Sequence, residues 1–175
     1  MYDITIIGAG IIGSFIAREL ARYDLKVLVL EKDNDISNGT TKANSAIIHG
    51  GYDAKPNSLK ARFNVEGNRM FDKICEELDV PIARIGSLVV AFSEEEMETI
   101  KELYEQGMMN KVPDLRILNK EELIEKEPNI SKDAVGALYS PTAGIFGPWE
   151  LAIALMENAM ENGVELSLNS EVINI

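Results

Sequence analysis

The fold is decided by residues 4–13, which read Ile-Thr-Ile-Ile-Gly-Ala-Gly-Ile-Ile-Gly. The apolar, mostly β-branched run Ile4–Ile7 predicts a buried parallel strand that ends at the first glycine. Apolar residues then recur every four positions from Ile12 to Leu20, as in a helix that packs on a sheet. Residues 26–31, with Val-Leu-Val-Leu at their centre, predict a second strand. Strand, helix and strand in this order make a βαβ unit, whose crossover is right-handed.

The turn between the first strand and the helix has the spacing G-x-G-x-x-G, in Gly8, Gly10 and Gly13. An acidic residue, Glu31, follows at the end of the second strand, which completes the dinucleotide-binding fingerprint. Gly8 permits the tight turn, Gly10 lets the backbone approach a pyrophosphate, and Gly13 lets the helix lie close to the strand. Glu31 can accept both ribose hydroxyls of an adenosine and would repel a 2′-phosphate, which disfavours NADP. The fingerprint alone leaves NAD and FAD as alternatives.

The composition is that of a globular protein and argues against nucleic acid as a partner. The net charge is −12 without any run of Lys or Arg, so a phosphate backbone would be repelled. The single cysteine, Cys75, cannot form an internal disulfide, which favours the reducing cytoplasm. No apolar stretch is long enough for a membrane span, the start carries no export signal, and no metal-ligand spacing occurs. We therefore expect a cytoplasmic protein.

The middle of the chain predicts a long binding segment followed by a region of different character. Residues 34–57 are rich in Gly, Ser, Thr and Asn, and they are too many for a plain connector. The spacing predicts a long helix over 58–78. Beyond it, the pattern of an α+β region continues to residue 145, and the predicted elements are a strand at 84–92, a helix at 93–108 capped by Ser93 and Glu96, a strand at 116–118, a short helix capped by Asn119 and Glu122, and a strand at 135–140.

The last thirty residues return to helix and strand. Gly147-Pro148 predicts the start of a helix that ends before Gly163. Alternating apolar residues predict a strand at 164–168, and the run 171–175 predicts the beginning of one more. A chain that stops on a beginning strand is expected to be the N-terminal part of a longer protein.

The segment from Gly39 to Gly51, together with Ser58–Arg62, resembles the D-amino-acid-oxidase-like (DAO) superfamily of FAD-dependent oxidoreductases. Within it, the chain is most similar to anaerobic-type glycerol-3-phosphate dehydrogenases and to L-2-hydroxyglutarate dehydrogenases or oxidases. The likeness continues through residues 86–91, 121–128 and 143–145, so it spans nearly the whole chain.

The resemblance implies that the cofactor is FAD, with its ADP half on the N-terminal βαβ unit and the flavin along the segment that matches Thr41–Gly51. It also implies contacts from Asn44 and Ser45 and a backbone contact at Val172. His49 is expected near the isoalloxazine ring and is the candidate catalytic base. The predicted cofactor-binding set is Gly8, Gly10, Ile12, Gly13, Glu31, Lys32, Thr41, Asn44, Ser45, His49 and Val172.

The resemblance implies an α/β fold, a Rossmann-like FAD/NAD(P)-binding domain with a parallel sheet and flanking helices. This FAD-binding domain is expected over residues 1–81 and 146–175, interrupted at 82–145 by part of an α+β substrate-binding region. The activity implied is oxidation of a secondary alcohol by hydride transfer to flavin N5, with glycerol 3-phosphate as the first substrate. Three alternatives stay open: L-2-hydroxyglutarate, an amine or amino acid, or an FAD-binding electron-transfer module without a substrate. The expected partners are a small hydroxy substrate and an electron-acceptor protein or quinone, with peripheral membrane association of the parent enzyme left open.

Overall fold

The computed structural model describes all 175 residues, Met1–Ile175, and the chain divides into two compact units. The first unit comprises Met1–Ala46, Ile74–Pro81 and Phe146–Ile175. The second comprises Ile47–Lys73 and Ile82–Ile145. Residues 47–73, which the sequence grouped with the FAD-binding domain, thus cluster with the 82–145 region, because a short strand at 47–48 pairs with one at 144–145. The functional assignment of the two domains stays a prediction.

The chain contains nine strands, five α-helices and one short 3₁₀ turn at Thr40–Lys42. The strands are β1 (Ile4–Ile7), β2 (Val27–Leu30), β3 (Ile47–Ile48), β4 (Ile82–Ala83), β5 (Ser87–Ala91), β6 (Arg116–Asn119), β7 (Gly136–Ser140), β8 (Gly144–Phe146) and β9 (Glu165–Ser167). The helices are α1 (Ile11–Leu20), α2 (Leu59–Glu77), α3 (Glu94–Met109), α4 (Lys120–Lys126) and α5 (Pro148–Glu161). None of these helices is long and apolar enough to cross a membrane.

The first unit is a parallel sheet in the order β1-β2-β9 with helices packed on it. Val27 and Val29 of β2 are fully buried together with Ala17 of α1 and with Met156 and Ala159 of α5. Small side chains at 17 and 159 suit the close packing of α1 and α5. The βαβ unit and the parallel sheet predicted from the sequence are confirmed.

The second unit is built on an antiparallel sheet in the order β5-β7-β6. Successive residues of β7 point to opposite faces, so Leu138 packs in one cluster with Ile100 of α3, and Tyr139 packs in another with Leu123 of α4. Both faces of this sheet are therefore covered. A separate small sheet has the order β3-β8-β4.

The N-cap residues predicted from the sequence are borne out, but Glu96 does not complete the box at α3, because its carboxylate accepts from the Phe92 N–H and not from the Ser93 N–H. The Ser93 hydroxyl accepts a hydrogen bond from the Glu96 N–H at 3.2 Å at the start of α3. At α4, the Asn119 side chain accepts from the Glu122 N–H, and the Glu122 carboxylate accepts from the Asn119 N–H, each at 2.9 Å. Gly163 follows α5 with a φ of +94°, the left-handed conformation that glycine adopts at helix ends.

The strand predicted at 171–175 is wrong. These residues form no strand, and Ile173 and Ile175 are exposed. A strand needs a ladder partner as well as an apolar pattern, and the last backbone contact with β2's end is the bond from the Ser170 N–H to the Glu31 carbonyl. The two-residue strands β3 and β4 and the short β8 went unpredicted because such short runs show no periodicity.

Candidate nucleotide-binding site

A cleft of about 800 Å³ opens in the first unit at the C-terminal ends of β1 and β2. It is lined by the glycine turn, the end of β2, residues 37–41 with Asn44, and residues 170–172. Open parallel sheets bind their ligands beyond the C-terminal ends of the strands. The position of the cleft is therefore that of a ligand site.

The three glycines of the turn differ in what a side chain at each position would meet. Gly8 has a φ of +98°, which side-chain-bearing residues rarely adopt. A Cβ on Gly13 would lie 1.9 Å from the Gly8 carbonyl oxygen, so α1 can approach β1 only with glycine at that position. A Cβ on Gly10 would lie 3.3 Å from the Thr41 hydroxyl, which packs directly on the turn.

The N-terminus of α1 faces the cleft with donors available. The Ile11 N–H donates to the Thr41 hydroxyl oxygen at 3.0 Å, a cap supplied from thirty residues along the chain. The N–H groups of Ile12 and Gly13 donate to no acceptor within the chain, and the first turn carries no acidic side chain. Unpaired N–H groups and the positive end of the helix dipole suit an anion such as a pyrophosphate.

Glu31 is buried and ties the end of β2 to the glycine turn. One carboxylate oxygen accepts from the Ala9 N–H at 2.8 Å, and the other accepts from the Asp33 N–H at 3.0 Å. Burial raises the pKa of Glu31, but the N–H groups of Asp33, Ala9 and Lys32 and the Lys32 charge outweigh it and hold the pKa below its ordinary value. The carboxylate stays ionised at neutral pH and retains lone pairs for ribose hydroxyls.

Ser37 is a cleft residue that sequence reasoning missed. It is 6% exposed, it has a φ of +60°, and its hydroxyl oxygen has no hydrogen-bond partner in the chain although it lines the cleft. A buried hydroxyl without a partner costs free energy unless a ligand supplies one. The phosphates and ribose hydroxyls of FAD are such partners, so the cleft fits the cofactor that the resemblance implies. The only sequence signal was membership of the polar 34–57 segment, where many residues looked alike.

Of the eleven predicted cofactor residues, nine line this cleft and two do not. The nine are Gly8, Gly10, Ile12, Gly13, Glu31, Lys32, Thr41, Asn44 and Val172. The Asn44 side chain is occupied locally, since its amide donates to the Thr41 carbonyl at 2.6 Å and its oxygen accepts from the Ala46 N–H at 2.7 Å. Ser45 and His49 are exposed outside the cleft, and their contact with the cofactor stays a prediction.

Comparison with known proteins places these features in context. Residues 3–175 match the family model DAO, described as FAD dependent oxidoreductase. The glycerol 3-phosphate dehydrogenase of Caloramator mitchellensis is 59% identical over 175 residues, which are all of this chain and 36% of that protein. Human mitochondrial L-2-hydroxyglutarate dehydrogenase is 35% identical over 176 residues, which cover 99% of this chain and 38% of that protein.

Solved structures agree with the sequence matches. L-alpha-glycerophosphate oxidase from Mycoplasma pneumoniae, solved with FAD bound, has a TM-score of 0.92 at 32% identity, covering 99% of this chain and 46% of that one. Glycine oxidase from Geobacillus kaustophilus has a TM-score of 0.89 at 26% identity, covering 99% of this chain and 48% of that one. The chain thus spans less than half the length of these relatives.

Proposed function

The chain belongs to the DAO family of FAD-dependent oxidoreductases, and on that basis we propose that the protein oxidises glycerol 3-phosphate to dihydroxyacetone phosphate. The observation that supports glycerol 3-phosphate as the substrate is the 59% identity, over every residue of the chain, to a glycerol 3-phosphate dehydrogenase. The resemblance to a glycerol 3-phosphate oxidase at 34% identity supports the same substrate.

FAD supplies, when bound, the acceptor for the hydride that leaves the carbinol carbon. We assign its ADP half to the cleft of the first unit, where the N–H groups of Ile12 and Gly13 bind the pyrophosphate and Glu31 accepts from the ribose hydroxyls. The Ser37 hydroxyl, unpartnered in the chain, supports this assignment by offering one further polar contact. We assign residues 82–145 to part of the substrate-binding region.

We assign to His49 the role of the base that accepts the hydroxyl proton of the substrate. It is the only histidine in the chain, and histidine is the side chain that most often serves as a general acid or base in enzymes. Asn44 and Ser45 remain in the proposed cofactor-binding set through their place in the same segment. Ser45 and His49 are both exposed, so their side chains are accessible to a ligand.

L-2-hydroxyglutarate is the second candidate substrate. Identity of 37% over 174 residues to the L-2-hydroxyglutarate dehydrogenase of Escherichia coli supports it. Both candidates are secondary alcohols beside an anionic group, so the same hydride and proton transfers would serve either one.

The electrons then pass to an acceptor, for which we propose a quinone or an acceptor protein. A quinone would bring the parent enzyme to a membrane surface. We propose the cytoplasm as the compartment, on the ground that a chain with one cysteine uses no internal disulfide.

The decisive experiment follows the visible flavin absorbance of the full-length enzyme under anaerobic conditions. Glycerol 3-phosphate, L-2-hydroxyglutarate and glycine are added to separate samples, and sn-glycerol 1-phosphate serves as the stereochemical control. Bleaching by glycerol 3-phosphate alone is the expected result. Bleaching by L-2-hydroxyglutarate or glycine alone would overturn the proposed substrate, and bleaching by none would favour an electron-transfer module.

A further inference from the structure

The segment His49–Ala54 is irregular, yet four of its six carbonyl groups, those of His49, Gly51, Tyr52 and Ala54, accept hydrogen bonds from side-chain amides. The amides are those of Asn68 on α2, Gln106 on α3 and Asn110, the C-cap residue of α3. Backbone carbonyls outside helices and sheets need donors from elsewhere when they turn inward. We name this set of three side chains the amide clamp.

Asn68 binds at the point where the β3–β8 ladder ends. Its Nδ2 donates to the His49 carbonyl at 2.8 Å and to the Thr142 carbonyl at 3.0 Å. Its Oδ1 accepts from Arg84 Nη1 at 3.3 Å, and the residue is 7% exposed. Every polar atom of this buried amide is therefore paired, which fixes its orientation.

The Thr142 carbonyl is the acceptor that a longer ladder would have used. In the register Ile48 opposite Gly144, the next pair of the same kind would join Gly50 to Thr142. The Thr142 carbonyl accepts from Asn68 and Arg84 instead, and the Gly50 N–H donates to no acceptor in the chain. Asn68 thus ends the sheet and releases a backbone donor.

The amides of Gln106 and of the C-cap residue Asn110 lie one helical turn apart and hold the later part of the segment. Gln106 Nε2 donates to the Tyr52 carbonyl at 2.9 Å. Asn110 Nδ2 donates to the Gly51 carbonyl at 3.0 Å and to the Ala54 carbonyl at 2.7 Å. Both donors of the Asn110 amide are used on this one segment.

Four carbonyl groups of the segment are paired, whereas the N–H groups at its start are not. The N–H groups of His49, Gly50 and Gly51 all lack an acceptor within the chain. The backbone also packs too closely for side chains, since a Cβ on Gly50 would lie 2.2 Å from the Ser140 hydroxyl oxygen and Gly51 has a φ of +99°. A segment held in this way offers a fixed row of donors to a ligand acceptor.

We propose that Asn68, Gln106 and Asn110 are positioning residues that hold the His49–Ala54 segment in the conformation in which it meets the flavin. The inference rests on the proposed function, which assigns His49 to the flavin. The three amides touch neither cofactor nor substrate. They act through the backbone, by keeping the donors of His49, Gly50 and Gly51 fixed before the ligand binds.

The test uses the full-length FAD-loaded enzyme with the variants Asn68→Asp and Gln106→Leu. Asn68→Asp keeps the acceptor for Arg84 and replaces the donor that faces the His49 carbonyl by a second acceptor. Gln106→Leu removes one donor at a half-buried position. Asn129→Asp, at an exposed asparagine of the same unit, is the matched control. Amide hydrogen exchange of residues 49–54, the flavin absorption spectrum and the flavin midpoint potential are measured.

We expect exchange at 49–54 to accelerate about tenfold in both clamp variants, with a changed flavin spectrum and a shifted potential, while Asn129→Asp matches the wild type. If hydrogen exchange at residues 49–54 were unchanged in both variants, the amide clamp would not be holding the segment, and the proposal would be overturned. Faster exchange with an unaltered spectrum and potential would overturn the positioning role and leave a purely structural one. Substrate bleaching of the wild type is recorded in the same preparation, so a failed substrate assignment is seen separately from a failed clamp.

Discussion

At the residue scale, Glu31 has two tasks that a neutral side chain could not combine. It closes the glycine turn by accepting from the Ala9 N–H, and it presents a carboxylate at the mouth of the cleft. Hydrogen bonds to an ionised acceptor are stronger than neutral ones, which offsets the cost of burying the charge. The residue predicted as a ribose ligand is therefore also part of the structure of the turn.

Glu31→Gln should destabilise the protein at neutral pH by about 1–3 kcal/mol, because the amide group would face an N–H donor. The folded-state pKa of Glu31 lies below its ordinary value of 4.5, so its stabilisation is complete above that value and is lost as pH falls through the lower folded-state pKa. Urea unfolding of the wild type and of Glu31→Gln, from pH about 7 to about 3, measures the difference in their free energies of unfolding. Glu161→Gln, at an exposed glutamate of α5, is the control. An equal loss at every pH would show that the charge is not responsible.

Gly13→Ala should destabilise the first unit and reduce FAD content, because the new Cβ overlaps the Gly8 carbonyl oxygen at 1.9 Å. Relief requires a backbone shift at the start of α1, which costs about 1–3 kcal/mol or more. Gly67→Ala is the matched control, since nothing lies within 4 Å of its Cβ in α2. Alanine there should stabilise the helix by about 0.5–1 kcal/mol. Thermal unfolding and bound flavin are measured, and equal effects of the two variants would contradict the close-approach argument.

At the scale of elements, α4 depends on its cap because it has only seven residues. Isolated helices of this length are unstable, so the packing of Leu123 and the reciprocal Asn119–Glu122 bonds must hold it. Asn119→Ala should lower the free energy of unfolding, measured by chemical denaturation, by about 1 kcal/mol. Asn129→Ala, at an exposed residue beyond the same helix, should change the free energy of unfolding little. Similar losses in both variants would mean that the cap bonds contribute nothing specific.

Elements set by neighbouring residues were the predictable part of this fold. The glycine spacing, the two N-cap residues and the strand at β7 are patterns of residues close together in the sequence, and each was predicted correctly. The amide clamp joins positions as far apart as Gly51 and Asn110, and the sequence carries no local sign of such a bond. Residues 171–175 have the pattern of a strand but no ladder partner, so the pattern misled.

At the scale of the whole molecule, charge opposes the anionic nucleotide that we assign to the cleft. The chain carries a net charge of −12. The ionisable residues that line the cleft are Glu31, Lys32, Asp33 and Glu171, three acids and one base. We therefore expect an anionic nucleotide to be bound by short-range contacts with the α1 N–H groups and Ser37, because long-range forces repel it.

Salt should consequently strengthen the binding of ADP to this chain. Raising the ionic strength shortens the Debye length from about 30 Å at 0.01 M to about 8 Å at 0.15 M, which screens the repulsion but leaves contacts at hydrogen-bond distance intact. Titration calorimetry should show an affinity that rises severalfold over this range, whereas uncharged adenosine should show little change. Asp33→Asn removes one of the three acids of the cleft, so the affinity for ADP should then change less with ionic strength. An affinity for ADP that falls with salt would mean that Lys32 and the α1 dipole outweigh the acidic surroundings, and the repulsion argument would then fail.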